Sequence, residues 1–184
     1  LTANAAIDLD TKKYRLGADI VRFPLAHFVK NIPISPLSAN LTAEGKGFDP
    51  ASLASHLRAA AHIRQLQYDR YPLGGIQLSG KMYRGNAEVD FRAHNPMISG
   101  MGRITALLHR RYAAQINIRL ERIDLQRITG MKDTLTLGGD FHGTLEATQN
   151  LRHFAAKGQM GHLRFVAPTR QTLAQDIYLD IASH

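Results

Sequence analysis

Nine histidines and fifteen acidic residues are the groups in this 184-residue chain that could act on a substrate or hold a metal, and there is no cysteine to join them. A shared metal ion needs several ligand atoms within about 2.0–2.3 Å of one point. His56 and His62 lie on one face of an alternating stretch, but six residues of extended chain separate them by roughly 20 Å, too far for one ion. They read as histidines of a polar face. Asp49, just before Pro50, reads as a turn cap, and the other acidic residues as solvated charges. The sequence contains no Gly-x-Ser-x-Gly elbow, no phosphate-binding glycine loop ending in Lys-Ser/Thr, and no His-Glu-x-x-His. We therefore expect no catalytic residue, no metal and no cofactor, and a chain that is not an enzyme. Without cysteine, disulfides and thiolate sites are excluded, while a periplasmic location is permitted.

The formal charge of +8 and a pI near 10.0 raise the question of nucleic acid. The basic residues are spread one or two per strand, however, and the densest group, His109-Arg110-Arg111, reads as a hairpin tip. Tryptophan is absent and aromatic residues make up 7%, so platforms for stacking bases are scarce. The expectation is a solvated basic face and no nucleic acid; anionic lipid headgroups would suit such a face equally well. A hydrophobic content of 44% excludes a disordered chain, and no apolar run reaches the length of a membrane-spanning helix. The opening at Leu1, without Met or a signal-peptide pattern, reads as an excerpt of something longer.

What must position these side chains is a series of strands. The organising unit runs from Leu41 through Gly45-Lys46-Gly47 and the Asp49-Pro50 turn to Tyr68. Leu57, Ala59, Ala61 and Ile63 share one face of its second strand, with Arg58, His62 and Arg64 opposite. Before it, Tyr14–Val21 alternates until Phe23-Pro24 breaks the ladder, and Leu25–Val29 can form one apolar turn ahead of Pro33 and Pro36. After the Asp69–Pro72 turn, Ile76–Tyr83 and Ala87–His94 form a hairpin about Arg84-Gly85-Asn86. Asn95-Pro96 turns the chain into Ile98–Ala106. Tyr112–Leu120 follows the His109 tip, and a last strand occupies Ala174–Ala182. Landmarks recur in the same order at an offset of about 100 residues: Tyr14–Ile20 with Tyr112–Ile118, His62-Ile63-Arg64 with His162-Leu163-Arg164, the Glu44–Phe48 region with Asp140–Leu145, and the Leu53 turn with Leu151–Phe154.

The fold expected is all-β: about ten strands in an elongated, curled antiparallel or mixed sheet with short helical turns, with a closed β-sandwich as the alternative. The whole of 1–184 is one segment, weakly duplicated at about 1–111 and 112–184. An apolar sheet face must be covered by something, and helices are not available for it here. Small residues on that face (Ala18, Gly80, Gly100, Gly102, Gly139, Ala156, Gly158) mark either bends or open space.

The string LTAEGKGFDPASL from Leu41 to Leu53, the Tyr71-Pro72-Leu73 turn, and GGIQLSGKMYRGNAEVDFRAHNP from Gly74 to Pro96 resemble the TamB branch of the AsmA-like proteins, nearest to its Bacteroidota type. The likeness is clearest over 14–125. It implies a periplasmic bridge anchored in the inner membrane by an N-terminal segment not in this sequence, a curled sheet called a β-taco, and phospholipid movement or assembly of outer-membrane proteins. Its implied partners are an acyl-chain lipid and, through other parts of such a chain, an outer-membrane assembly barrel. The candidate lining of a lipid groove is then Leu16, Ile20, Leu41, Leu57, Ile63, Ile76, Leu78, Val89, Phe91, Ile104, Ile116, Ile118, Leu137, Phe141, Ile177 and Leu179. A non-catalytic β-sandwich carrier of lipocalin type, or a structural or adhesive module, is the alternative. An outer-membrane barrel ranks behind both because aromatic girdles are missing.

Overall fold

The computed structural model describes residues 1–24, 34–49, 51–68, 71–108, 111–148 and 153–182. The apolar turn at Leu25–Val29, Pro33, the Pro50 helix start, Asp69-Arg70, the His109-Arg110 tip and the Leu151 landmark lie outside the described residues.

Alternation of apolar and polar residues builds strands along nearly the whole chain. They are β1 (Thr2–Asp8), β2 (Lys13–Phe23), β3 (Ile34–Lys46), β4 (His56–Tyr68), β5 (Tyr71–Leu73), β6 (Ile76–Tyr83) and β7 (Asn86–His94), followed by β8 (Ile98–Leu107), β9 (Arg111–Asp124), β10 (Thr136–Thr148), β11 (Phe154–Ala167), β12 (Arg170–Leu173) and β13 (Ile177–Ala182). All thirteen belong to one open sheet in the order β1-β2-β3-β4-β6-β7-β8-β9-β10-β11-β12, with β5 beside β4 and β13 beside β11. Every pairing is antiparallel. The sheet runs without a break through 111 and 112, where the second of the two similar halves was expected to begin.

Local chemistry sets the turns. Asp8 Oδ1 accepts from the amides of Asp10 and Thr11, both at 3.0 Å, closing the β1–β2 turn. Asp49 Oδ1 accepts from Ala51 N at 2.9 Å, the capping role expected of it. Arg84 and Gly85 both take positive φ, 51° and 76°, as a two-residue hairpin requires. Asn95 Oδ1 accepts from the amides of Met97 and Ile98 and so shapes the β7–β8 turn. The single helix among the described residues, α1 (Leu125–Thr129), starts at Asp124, whose carboxylate accepts from Arg127 N at 2.9 Å, and stops at Gly130 in the left-handed region.

Two local expectations are corrected. The strand expected from Leu41 begins earlier, at Ile34, and holds Pro36 inside it, where the register with β4 slips between Ile34 and Leu37 and no ladder amide is needed. The first strand is not Tyr14–Val21 but β1, whose seven residues alternate as Ala3, Ala5, Ile7 against Thr2, Asn4, Ala6, Asp8.

Register slips also fall between Ile20 and Phe23, Ser38 and Ala39, Ser99 and Gly100, and within Leu137–Asp140. These positions lie toward the same end of the strands in neighbouring parts of the sheet, so the bends they introduce act together to curl it. At one of them Arg22, with φ of 48°, has its amide held by Ser38 Oγ at 3.0 Å.

Candidate functional site

Residues directly opposed across an antiparallel pair share a face, so the register sorts the side chains. Following the pairings from β1 to β13 gives one row of Ala5, Leu16, Ala43, Ala59, Gly80, Val89, Ile104, Ile116, Gly143, Gly158 and Leu179. The next row on that face is Ala3, Ala18, Leu41, Ala61, Leu78, Phe91, Gly102, Ile118, Phe141, Met160 and Ile177. On either side lie the rows containing Tyr14, Leu57, Met82 and Leu145, and Ile20, Ile63, Ile76 and Leu120. Ile98, Ile123 and Leu137 continue the face past the bulges. No charged side chain interrupts the two central rows.

All sixteen residues named from the sequence as candidate lining (Leu16, Ile20, Leu41, Leu57, Ile63, Ile76, Leu78, Val89, Phe91, Ile104, Ile116, Ile118, Leu137, Phe141, Ile177, Leu179) therefore stand on this one face. At about 4.8 Å per strand spacing, the strip crosses eleven strands and runs for on the order of 50 Å. Sequence reasoning missed Ala3, Ala5 and Ile7 of β1, and Leu145 and Met160. Period-two alternation was available to find each of them.

The apolar face is not packed away. Among the described residues no large side chain is fully buried, and Leu78 and Val89, in the middle of the sheet, each keep 37% of their surface. The chain exposes 12696 Å², whereas a compact monomer of 20.4 kDa exposes about 8,800 Å². Among the described residues the sheet is a single layer with no second sheet or helix over it, which fits that excess.

Small residues on this face have distinct roles. A Cβ on Gly102 would run into the Phe91 ring, which lies over it from the neighbouring strand, and Phe141 similarly covers Gly143 and Gly158. Gly100 and Gly139 sit at the register slips. Gly80 alone of these leaves room, its nearest side-chain neighbour being Val89 Cγ2 at 3.7 Å from the position a Cβ would take. At the rim, Tyr14 stacks on Phe48 with ring centroids 5.8 Å apart.

The opposite face is mostly polar, although Ala60, Met101, Leu107 and Ala113 also stand on it, and it is cross-linked between strands. Arg103 Nε lies 2.7 Å from Asp90 and 3.6 Å from Glu88, and Lys81 meets Glu88 at 3.1 Å. Arg64 meets Asp19 at 2.7 Å, and Arg15 meets Glu44 at 3.4 Å. Asp140 accepts from Arg119 Nε at 3.2 Å and pairs with His162 Nδ1 at 3.0 Å. Partial burial pushes the Asp140 carboxyl up, but the Arg119 and His162 contacts outweigh it and hold the group below its ordinary value. His56 and His62 both stand on this polar face, in different rows.

Three cavities of about 1430, 830 and 530 Å³ open on the sheet, and each is lined chiefly by residues of the polar face, such as Arg15, Arg58, Lys81 and Glu88 in the largest. These hollows are thus on the charged side. The apolar side, where a groove was expected, contributes the smaller part of each lining, with Tyr14, Leu57 and Met82 in the largest and Leu78, Phe91 and Ile118 in the second.

Comparison with protein-family models, with curated proteins and with solved structures finds no match. No helix among the described residues is long and apolar enough to cross a membrane.

Proposed function

We propose that this chain is a segment of a bridge-like lipid-transfer protein of the TamB and AsmA-like type, acting in the periplasm between inner and outer membranes, with acyl chains lying along its apolar face. One observation carries the reading: an uninterrupted apolar strip crosses eleven strands at right angles to them and, among the described residues, is left without a covering layer. Acyl chains of phospholipid suit such a strip because it offers apolar contact without hydrogen-bonding partners. Each Å² withdrawn from water contributes about 25 cal/mol wherever along the strip the contact is made. A lipid can then move between adjacent positions of similar energy, with no nucleophile or cofactor taking part. The charged face opposite keeps the segment wetted. Anchoring in the inner membrane and contact with an outer-membrane assembly barrel belong to the same proposal and fall to other parts of such a protein.

The experiment is to purify the chain from cells under non-denaturing conditions and identify lipid in an organic extract by mass spectrometry. We expect phospholipid to co-purify with the unaltered chain. Ile118→Arg places a charge in the middle of the strip, where contact with acyl chains costs a few kcal/mol, and is expected to reduce the bound lipid several-fold. Lipid-free protein, or equal lipid on the Ile118→Arg variant, would contradict the assignment.

A further inference from the structure

Across most of the polar face, opposite charges meet between neighbouring strands. Arg15 faces Glu44, Lys81 faces Glu88, Arg103 faces Asp90, Arg119 faces Asp140 and Lys157 faces Asp180. One corner breaks the pattern. Lys46, the last residue of β3, stands directly opposite Lys13 of β2 on one side and His56 of β4 on the other. Arg15 and Arg58 are its diagonal neighbours on the same two strands. Opposed residues lie about 4.5–5.5 Å apart and diagonal ones about 7–8 Å, so these long side chains reach a common point. The carboxylates beside them are committed: Glu44 to Arg15 at 3.4 Å, and Asp8, opposite Lys13, to the amides of Asp10 and Thr11. Among the described residues, Lys46, His56 and Arg58 have no ion-pair partner. Like charges set directly opposite one another destabilise a sheet. They stand here at the largest cavity, which Lys13, Arg15, His56 and Arg58 help to line.

We propose that this corner binds a phosphate group, with Lys46 and Arg58 as its main donors. Positive charge concentrated in this way is offset only by a ligand group with more than one negative charge. A phosphate monoester supplies about −1.5 to −2 at neutral pH and three strong acceptor oxygens. That is enough to engage the Arg58 guanidinium and the Lys46 and Lys13 ammonium groups together. A lone carboxylate would leave most of the repulsion in place. Free phosphate compounds and the headgroup of a phosphatidic acid offer the same chemistry, and the experiment separates the two sources. The inference rests on the polar face and is independent of whether lipid occupies the apolar strip.

The delipidated full chain is titrated with inorganic phosphate by calorimetry. It is also mixed with vesicles of phosphatidylcholine alone and of phosphatidylcholine with phosphatidic acid in equal parts, each at an ionic strength matched with chloride. Binding of inorganic phosphate assigns the site to free phosphate compounds, and binding only to the vesicles that contain phosphatidic acid assigns it to a headgroup. In either case the double variant Lys46→Gln, Arg58→Gln is expected to weaken binding about tenfold or more. The double variant Arg92→Gln, Arg170→Gln, which removes equal charge from exposed positions elsewhere, should leave it nearly unchanged. A second readout separates a site from a solvated patch. Without phosphate, Lys46→Gln is expected to raise the midpoint of thermal unfolding by relieving the repulsion, and to lose the further rise that phosphate or the phosphatidic acid vesicles give the unaltered chain. No binding beyond that of chloride and plain phosphatidylcholine, equal weakening by the two double variants, or a Lys46→Gln midpoint no higher than that of the unaltered chain would overturn the site.

Discussion

Gly80 and Gly102 stand on the same apolar face, in adjoining rows, and answer different needs. Gly102 has no room: its missing Cβ is replaced by the Phe91 ring from the next strand and by the Asn117 carbonyl. Gly102→Ala is expected to cost about 1–3 kcal/mol, the range for overpacking. Gly80 has room, so Gly80→Ala is expected to stabilise by about 0.5 kcal/mol through the lower backbone entropy of the unfolded chain. Urea unfolding of the two variants checks both, and similar effects at the two sites would contradict the packing described.

Asp140 offers a second test at this scale. Its carboxyl is held below the ordinary value in the folded chain, so it contributes stability above about pH 4, the unfolded range for Asp. That contribution disappears as pH falls through the lower folded value. In Asp140→Asn the charged partner of Arg119 and His162 is gone; the variant is expected to be less stable by up to about 1 kcal/mol at neutral pH. The difference should vanish in acid. A gap that persists below the folded value would mean that packing rather than charge is responsible.

Among the elements, the β6–β7 hairpin shows what the sequence made legible and what it did not. Ile76–Tyr83 and Ala87–His94 alternate so cleanly that strands, faces and turn were evident, and the structure places Arg84 and Gly85 where expected. Arg84 nevertheless adopts a left-handed backbone with φ of 51°, a conformation unfavourable for a residue with a large side chain. Arg84→Asn, which supplies the Asn-Gly pair favoured in such turns, should raise stability by up to about 1 kcal/mol, measurable as a higher midpoint of thermal unfolding. A lowered midpoint would show that Arg84 has a compensating role, its contact above Tyr83 at 6.0 Å being the candidate.

Other elements were less legible for physical reasons. β1 is a run of small residues whose alternation, Ala3, Ala5 and Ile7, carries a weak hydrophobic signal. β3 contains Pro36, which a local reading takes as a strand breaker and which the structure accommodates at a register slip. The ion pairs linking Arg103 to Asp90 and Arg119 to Asp140 depend on register between strands, and alternation within one strand does not contain it. The set of apolar residues, by contrast, was readable almost entirely, because a period of two assigns a face without knowledge of the neighbours. On which side of the sheet the hollows lie depends on curl, set by bulges that interrupt the very pattern being read.

At the scale of the molecule, the decisive property is an unbroken apolar face on a sheet that does not close and, among the described residues, packs against no second layer. The 12696 Å² of exposed surface in a 20.4 kDa chain is the quantity that separates this arrangement from a β-sandwich. Such a face is stable in water when something apolar lies on it, and the proposal assigns that role to acyl chains. The most direct measurement places photo-crosslinking side chains one at a time at Leu78 and Ile118 on the apolar face, and at Lys81 and Arg119 on the polar face, in cells supplied with labelled phospholipid. The account requires lipid adducts at Leu78 and Ile118 and none above background at Lys81 and Arg119. Equal labelling of the two faces, or none on either, would contradict it.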